Sequence, residues 1–239
     1  MIKTIIVPVF NEEGNIGLLI EKILKEINKE DQLIIVNDGS SDKTIEEVKK
    51  FNCELINHET NLGKGMAMRS GIDKAIGEVI IFMGGDGQDD PSEIGKLIEG
   101  INEGYDYVIG SRFVKSNSDS LNYKRYSDKA ILPINKIGNN GLTFLINLLF
   151  GQNITDSQSE FKCFKSDKLK NLKLISTRYE IETELLIRSA RKKFKIKEVP
   201  VHRYERKHGK SYLFDIPFGR FIFGLKVLKT ILTGYIFWR

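Results

Sequence analysis

The chain has 239 residues, of which 41% are hydrophobic and 29% charged, and it carries a net charge of +5. This composition excludes a disordered chain and leaves one large α/β domain or two small ones. Cys53 and Cys163 lie far apart and outside any metal-ligand spacing, which excludes a disulfide framework and reads as free thiols in a reducing compartment.

The apolar start at Met1 is broken by Lys3 and runs into the strand-like "IKTIIVPV", so no signal peptide is expected. "NIGLLIEKILKEI" has apolar residues at helical spacing, Ile16, Leu19, Ile20, Ile23, Leu24 and Ile27. "QLIIVND" is the second strand. "SSDKTIEEVKKF" opens on good N-cap residues and places Glu early and Lys late, as a helix prefers. "CELINH" and "EVIIFM" are the third and fourth strands, with "KGMAMRSGIDKAI" a helix between them. "PSEIGKLIEGI" is a helix with Pro91 near its first turn, and "YDYVIGSR" the fifth strand. Nearly continuous apolar strands joined by helices imply a mostly parallel, Rossmann-like sheet covered on both faces.

After Ser111 the alternation breaks. A polar loop leads into "LTFLINLLF", from Leu142, which fits a short helix on a membrane or in a core. "FKCF" reads as a strand, "YEIETELLIRSARKKF" as a helix and "KIKEVPVHRY" as an edge strand that tolerates Pro200. The expected organisation is a catalytic domain over residues 1–212, its donor half ending near 112 and its acceptor half following, and a membrane-contact segment over 213–239.

That last segment belongs to a basic end. Residues 200–239 hold eight Lys and Arg against Glu205 and Asp215, a net +6, so the rest of the chain sums to −1. The cations are interleaved with Phe214, Phe218, Phe221, Phe223, Tyr235, Phe237 and Trp238, a mixture suited to a membrane surface and also able to stack on bases. No stretch reaches the roughly 18–20 apolar residues of a spanning helix, so peripheral attachment is expected.

In a parallel sheet, ligands gather where strands end. Each strand end has a plain reading as well as a functional one. In "PVFNEE", Phe10 offers a stacking face and Glu12 an acceptor, while Asn11 and the acidic pair would equally cap a helix. In "VNDGSSD", Asp38 can accept from a nucleoside, while Ser41 or Asp42 caps. "NLGKGMAMRSG" lacks the spacing of a Walker loop; Lys64 and Arg69 could approach a diphosphate, or the run is simply a glycine-rich helix start. In "FMGGDGQDDP", Asp86 and Gln88 present oxygens two residues apart, as a hard Mg²⁺ or Mn²⁺ ion requires. Asp89 and Asp90 precede Pro91 and read as helix caps. His58, His202 and His208 lack metal spacing.

The ordered series "PVFNEE", "VNDGSSD", "NLGKG", "GGDGQDDP", "GSR", "TDSQSEFKCF", "EIETELL" and "RKHGKS" resembles the family-2 glycosyltransferases, and within them the polyprenyl- (dolichyl-) phosphate hexose synthases, from Ile5 to about Tyr212. The resemblance implies a GT-A fold, a nucleotide-sugar donor, a divalent cation (Mg²⁺ or Mn²⁺) and inversion at the anomeric carbon. By position it assigns Pro8, Phe10, Glu12, Val36 and Asp38 to the nucleoside pocket, with Lys64 on the donor side. Asp86 and Gln88 would hold the metal and diphosphate. Arg112, Lys136, Arg206 and Ser211 would face the acceptor phosphate, and Asp156 and Ser159 would lie beside the sugar. The chain departs from the family pattern three times: Gly84 stands where the D-x-D motif has its first carboxylate, Glu160 replaces the glycine of S-G-F-[RK], and Lys136 stands where relatives have Arg, losing a bidentate phosphate contact.

The function so implied is transfer of a hexose from GDP-mannose or a UDP-hexose to a polyprenyl or dolichyl phosphate, with Asp86, Arg112 and Arg206 carrying the chemistry. The expected setting is the cytoplasmic face of the cell membrane, held peripherally, with room for a membrane-anchoring partner protein and no nucleic acid. Two other readings stay open: transfer to a saccharide or protein hydroxyl, and a non-catalytic nucleotide-sugar or lipid-binding module.

Overall fold

The computed structural model describes residues 1–115, 126, 131–209 and 219–238. Seven strands form one sheet: β1 (Lys3–Val9), β2 (Gln32–Asn37), β3 (Glu54–Asn57), β4 (Val79–Phe82), β5 (Tyr107–Ser111), β6 (Lys162–Lys165) and β7 (Ile196–Pro200). Their spatial order is β3-β2-β1-β4-β6-β5-β7. Every pairing is parallel except those of β6, which runs antiparallel to both β4 and β5. The strand carrying Pro200 lies at one edge, where a missing N–H costs no ladder bond.

The helices are α1 (Ile16–Glu26), α2 (Thr44–Val48), α3 (Lys64–Lys74), α4 (Ile94–Asn102), α5 (Pro133–Phe150), α6 (Ser166–Lys170), α7 (Ile181–Arg191) and α8 (Gly219–Phe237). Side-chain alternation along the strands divides the core in two. Ile6, Ile34 and Ile80 face one side, with Met68 of α3, Leu185 and Ile187 of α7, Ile146 of α5 and Val227 and Ile231 of α8. Ile5, Ile35 and Ile81 face the other, with Ile16, Ile20 and Ile23 of α1 and Leu97 of α4. Each such fully buried aliphatic side chain contributes roughly 1.5–3 kcal/mol of transfer free energy.

Two helices differ from the sequence reading. α2 has only five residues. α5 begins well before Leu142: Pro133 sits at its first position, where a missing N–H costs nothing, and Gly151, at φ 62°, closes it in the left-handed region. α8 lies within the expected membrane-contact segment. It packs on α7, where the Arg188 guanidinium lies 4.0 Å from the Trp238 ring centroid and Arg191 donates to the carbonyl of Gly234 at 3.3 Å. Among the described residues no helix is long and apolar enough to cross a membrane.

From β1 the chain steps outward to β2 and β3, then returns to the other side of β1 as β4. The carboxyl ends of β1 and β4 therefore border the crevice at which an open α/β sheet binds its ligand.

Candidate active site

Two loops are clamped together at the ends of β1 and β2. Asn11, at φ 55°, donates its backbone N–H to Ser40 Oγ at 2.9 Å and accepts at Oδ1 from Ser41 N at 2.8 Å. Asp38 is buried and accepts from the backbone of Leu62 (3.0 Å) and Gly63 (2.8 Å). His58 lies between Asp38 Oδ1 (2.8 Å from Nδ1) and Ser70 Oγ (2.9 Å from Nε2). Asp38 thus fixes the loop entering α3 as well as facing the crevice.

The turn after β4 is organised by a residue the sequence reading assigned no role. Arg203, buried, donates to Asp89 Oδ1 at 2.8 Å, Gln88 Oε1 at 3.0 Å and Asp86 Oδ2 at 3.2 Å. Burial opposes its charge, but Asp86 and Asp89 outweigh it and raise its pKa. Gln88 also donates its side-chain amide to the Tyr204 carbonyl at 2.8 Å. The Gln88 side-chain oxygen, expected on a metal, and Asp86 Oδ2 thus both accept from one guanidinium. Asp89 is no mere cap either: it is a buried partner of Arg203, and Asp90 alone caps, accepting from Ser92 N.

A second network runs inward from the crevice. Lys64 Nζ, at the start of α3, lies 3.1 Å from Glu160 Oε1 and 2.6 Å from Glu182 Oε1. The other oxygen of Glu182 pairs with Lys162, which is buried on β6. Burial opposes the Glu160 charge, but Lys64 and Arg203 hold its carboxyl down at about 2. Burial also pushes the Lys162 amine down, against the pull of Glu182. Lys64 is thus committed to two carboxylates. Glu184, the neighbouring carboxylate on α7, is structural: it accepts from Ile175 N, Ser176 N and Arg188.

On the acceptor side, Arg112 follows β5 and pairs with Asp156 through two bonds of 2.6 Å. Asp156 is in turn placed by Glu198, which accepts from its backbone N at 2.8 Å. Arg206 reaches back to the first loop, pairing with Glu12 and donating to the His208 carbonyl at 2.7 Å. Burial raises the Glu12 pKa against the pull of Asn15 and Arg206.

These groups share one cavity of about 850 Å³. Pro8, Phe10, Glu12, Asp38, Lys64, Asp86, Gln88, Arg112 and Arg206 all line it, as do Glu160, Glu182 and Arg203. α5 and α8 add Ile134, Ile137, Leu142, Phe221 and Phe223 to the lining, interleaved with Asn135, Asn139 and Arg220. Four assigned residues lie off this lining. Val36 is fully buried in the sheet core, because strand alternation aims it at the same face as Ile34. Ser159 is buried and donates to the Gly110 carbonyl at 2.6 Å, so it braces β5. Asp156 is buried beneath Arg112 and positions that residue. Lys136 lies over the Phe113 and Tyr126 rings, 5.7 and 5.6 Å from their centroids. Ser211 is outside the described residues.

The donor set suits a hard divalent cation, since Asp86 and Glu160 bring carboxylate oxygens to a cavity large enough for a diphosphate to complete the shell. Among the described residues no three His, Cys, Asp or Glu are closed into a metal cage.

Known proteins with the same features agree on the class. The profile of glycosyl transferase family 2 matches residues 4–173. The Methanocaldococcus jannaschii protein MJ1222 is 34% identical over 239 aligned residues, covering 98% of this chain and 92% of that one. A UDP-N-acetylglucosamine–dolichyl-phosphate N-acetylglucosaminyltransferase from Methanococcus voltae is 33% identical over 221 residues, 82% of this chain and 83% of that one. In fold, the chain superposes on glucosyl-3-phosphoglycerate synthase from Mycobacterium tuberculosis, solved with Mg²⁺ and UDP, with a TM-score of 0.74 at 19% identity, over 98% of this chain and 79% of that one. With a GT-A sheet, carboxylates at its strand ends and the profile spanning most of its length, the chain belongs to glycosyl transferase family 2.

Proposed function

We propose that the protein transfers a sugar from a UDP-linked donor to the phosphate of a polyprenyl lipid at a membrane surface. The observation that carries this is the mixed lining of the cavity: carboxylates and arginines of the strand ends, together with the apolar side chains that α5 and α8 add. A soluble sugar acceptor needs no such apolar side chains, whereas a lipid-borne phosphate does. The named Methanococcus voltae relative supports a UDP-linked donor and a dolichyl phosphate acceptor.

In the step proposed, an acceptor phosphate oxygen attacks the anomeric carbon. The bond from that carbon to the diphosphate oxygen breaks, and its electron pair leaves with the nucleoside diphosphate. The phosphate is already anionic near neutral pH, so a strong general base is unnecessary. Phe10 and Asp38 place the nucleoside. Arg112 and Arg206 attract and orient the acceptor phosphate, each held by a carboxylate of its own. Asp86 and Glu160 would hold a divalent cation, which when bound offsets charge on the leaving diphosphate. Outside the cavity, α5 leaves Phe144 and Leu148 exposed, and α8 Leu225, Leu232, Ile236 and Phe237. We place these on the cytoplasmic face of the membrane, beside the lipid chain.

The test is a panel of radiolabelled UDP-N-acetylglucosamine, UDP-glucose and GDP-mannose, each offered with a short polyprenyl phosphate and with free saccharides, in Mg²⁺ or Mn²⁺. Label passing from a UDP-sugar into the organic phase is expected. Label passing only to a saccharide, or only from GDP-mannose, would overturn the reading of acceptor or donor respectively.

A further inference from the structure

Two of the departures from the family pattern, Gly84 and Glu160, are far apart in sequence but meet in space. A Cβ built on Gly84 would stand 2.5 Å from Glu160 Oε2, 3.3 Å from Asp86 Oδ1 and 3.6 Å from Asp89 Oδ2. The volume a side chain at position 84 would fill is thus occupied by the carboxylate of Glu160.

The topology explains the meeting. β6 runs antiparallel beside β4, with Phe82 opposite Lys162 and Ile81 opposite Cys163. Carried two residues beyond Phe82, this register sets Gly84 opposite Glu160. Side chains at such opposed positions project to the same face from Cα atoms about 5 Å apart. A carboxylate at either position reaches much the same point.

We propose that Glu160 supplies the carboxylate the chain lacks at position 84, so that Asp86 and Glu160, from adjacent antiparallel segments, form the protein's share of the divalent-cation site. This rests on the metal-dependent sugar-nucleotide transfer proposed above. Glu160 lines the cavity, and its Oε1 is tethered 3.1 Å from Lys64, which Glu182 steadies from behind. Oε2 is the oxygen aimed at the vacated side-chain volume. The two positions compete for one volume: a carboxylate added at 84 would displace the Glu160 head group and repel it, whereas glycine at 84 leaves that volume to Glu160. Arg203 donates to both Asp86 Oδ2 and Gln88 Oε1 and so holds the turn that presents Asp86.

The experiment is a swap. Mn²⁺ binding to the full chain with UDP present is measured by the electron paramagnetic resonance of free Mn²⁺, and thermal unfolding is followed in parallel, for wild type, Glu160→Gln, Glu160→Gly, Gly84→Asp and the double variant Gly84→Asp/Glu160→Gly. Glu160→Gln keeps the size of the side chain, so its effect is read on a folded protein. Both Glu160 variants are expected to weaken Mn²⁺ binding by about tenfold or more. Gly84→Asp alone should lower the melting temperature, and the double variant should regain both stability and Mn²⁺ affinity. Glu160→Gln binding as tightly as wild type, or a folded double variant as weak as Glu160→Gly, overturns the relocation. A wild-type chain that takes up no Mn²⁺ beside bound UDP overturns it together with the metal-dependent reading.

Discussion

Arg112 and Asp156 form a two-pronged ion pair, Nε to Oδ2 and one terminal nitrogen to Oδ1, both at 2.6 Å, and the backbone N–H of Arg112 adds a third bond to Oδ2 at 3.1 Å. The guanidinium at the cavity wall is thereby fixed in one orientation before any substrate arrives. Asp156→Asn keeps the shape but loses the charge. It should lower kcat/KM for the lipid phosphate by about 10- to 100-fold while leaving UDP affinity within about twofold. Asp156→Ala leaves the half-buried Arg112 guanidinium without its carboxylate and should cost about 1–3 kcal/mol in urea unfolding. Equal loss of UDP and acceptor binding in Asp156→Asn would contradict a role confined to the acceptor side.

Glu182 joins two lysines, Lys162 in the core and Lys64 at the crevice. Removing it leaves Lys162, already pushed toward neutrality by burial, without its carboxylate. Glu182→Gln should destabilise the fold by about 3–5 kcal/mol, whereas Glu182→Gln combined with Lys162→Met should recover part of that loss. Urea titrations of the two variants decide it; additive losses would show that the pair does not act as a unit.

The His58 side chain bridges Asp38 and Ser70. With Nδ1–H donating to Asp38, Nε2 is left to accept from the Ser70 hydroxyl. His58→Phe removes the donor that orients the Asp38 carboxylate. The expected result is a UDP dissociation constant raised by about 5- to 20-fold, with acceptor KM nearly unchanged, as isothermal titration and steady-state kinetics would show.

Far from the cavity, Asp31 ties the start of β1 to the end of the loop after α1. It accepts from Lys3 N and Asn28 N, both at 2.8 Å, and pairs with Lys3 Nζ at 2.8 Å. Burial would raise its pKa, but the bonds from Lys3 and Asn28 prevail and hold it below the ordinary carboxylate value. A carboxylate with a depressed folded pKa contributes stability that is present above its unfolded pKa, about 3.9, and is lost as pH falls through the folded value. Asp31→Asn should therefore cost about 1–2 kcal/mol at pH 7 and progressively less below pH ~4. A deficit unchanged at pH 3 would rule out the charge as its source.

Much of this architecture is legible in the chain. β1, β2, β4 and β5 are buried along nearly their whole length, and helices with clear periodicity separate them, so the mostly parallel sheet follows from the pattern. Polar residues collect where each strand stops, and Glu12, Asp38, Asp86 and Arg112 do reach one cavity. What does not follow is which way each motif residue points and what it holds. Val36 stands one residue from Asn37 and two from Asp38, yet strand alternation turns it into the core. The partnership of Arg112 with Asp156 depends on β6 pairing with β5, a non-local fact. Arg203 sits in the run "HRYERK", where no spacing distinguishes it from its basic neighbours; only the bridge between Asp89 and Arg203 brings it to the turn after β4. Glu160 looked like an isolated departure until the antiparallel register set it against Gly84.

The reversed strand β6 has one further effect. It is bonded on one side to β4, which ends at the carboxylate turn, and on the other to β5, which ends at Arg112. The spacing between the backbone ends of β4 and β5, from which the Asp86 turn and Arg112 follow, is therefore set by two ladder widths, about 10 Å of hydrogen-bonded backbone. Such a gauge does not stretch. Ligands must come to a fixed frame, and any give needed to admit them has to be found in the helices around the rim.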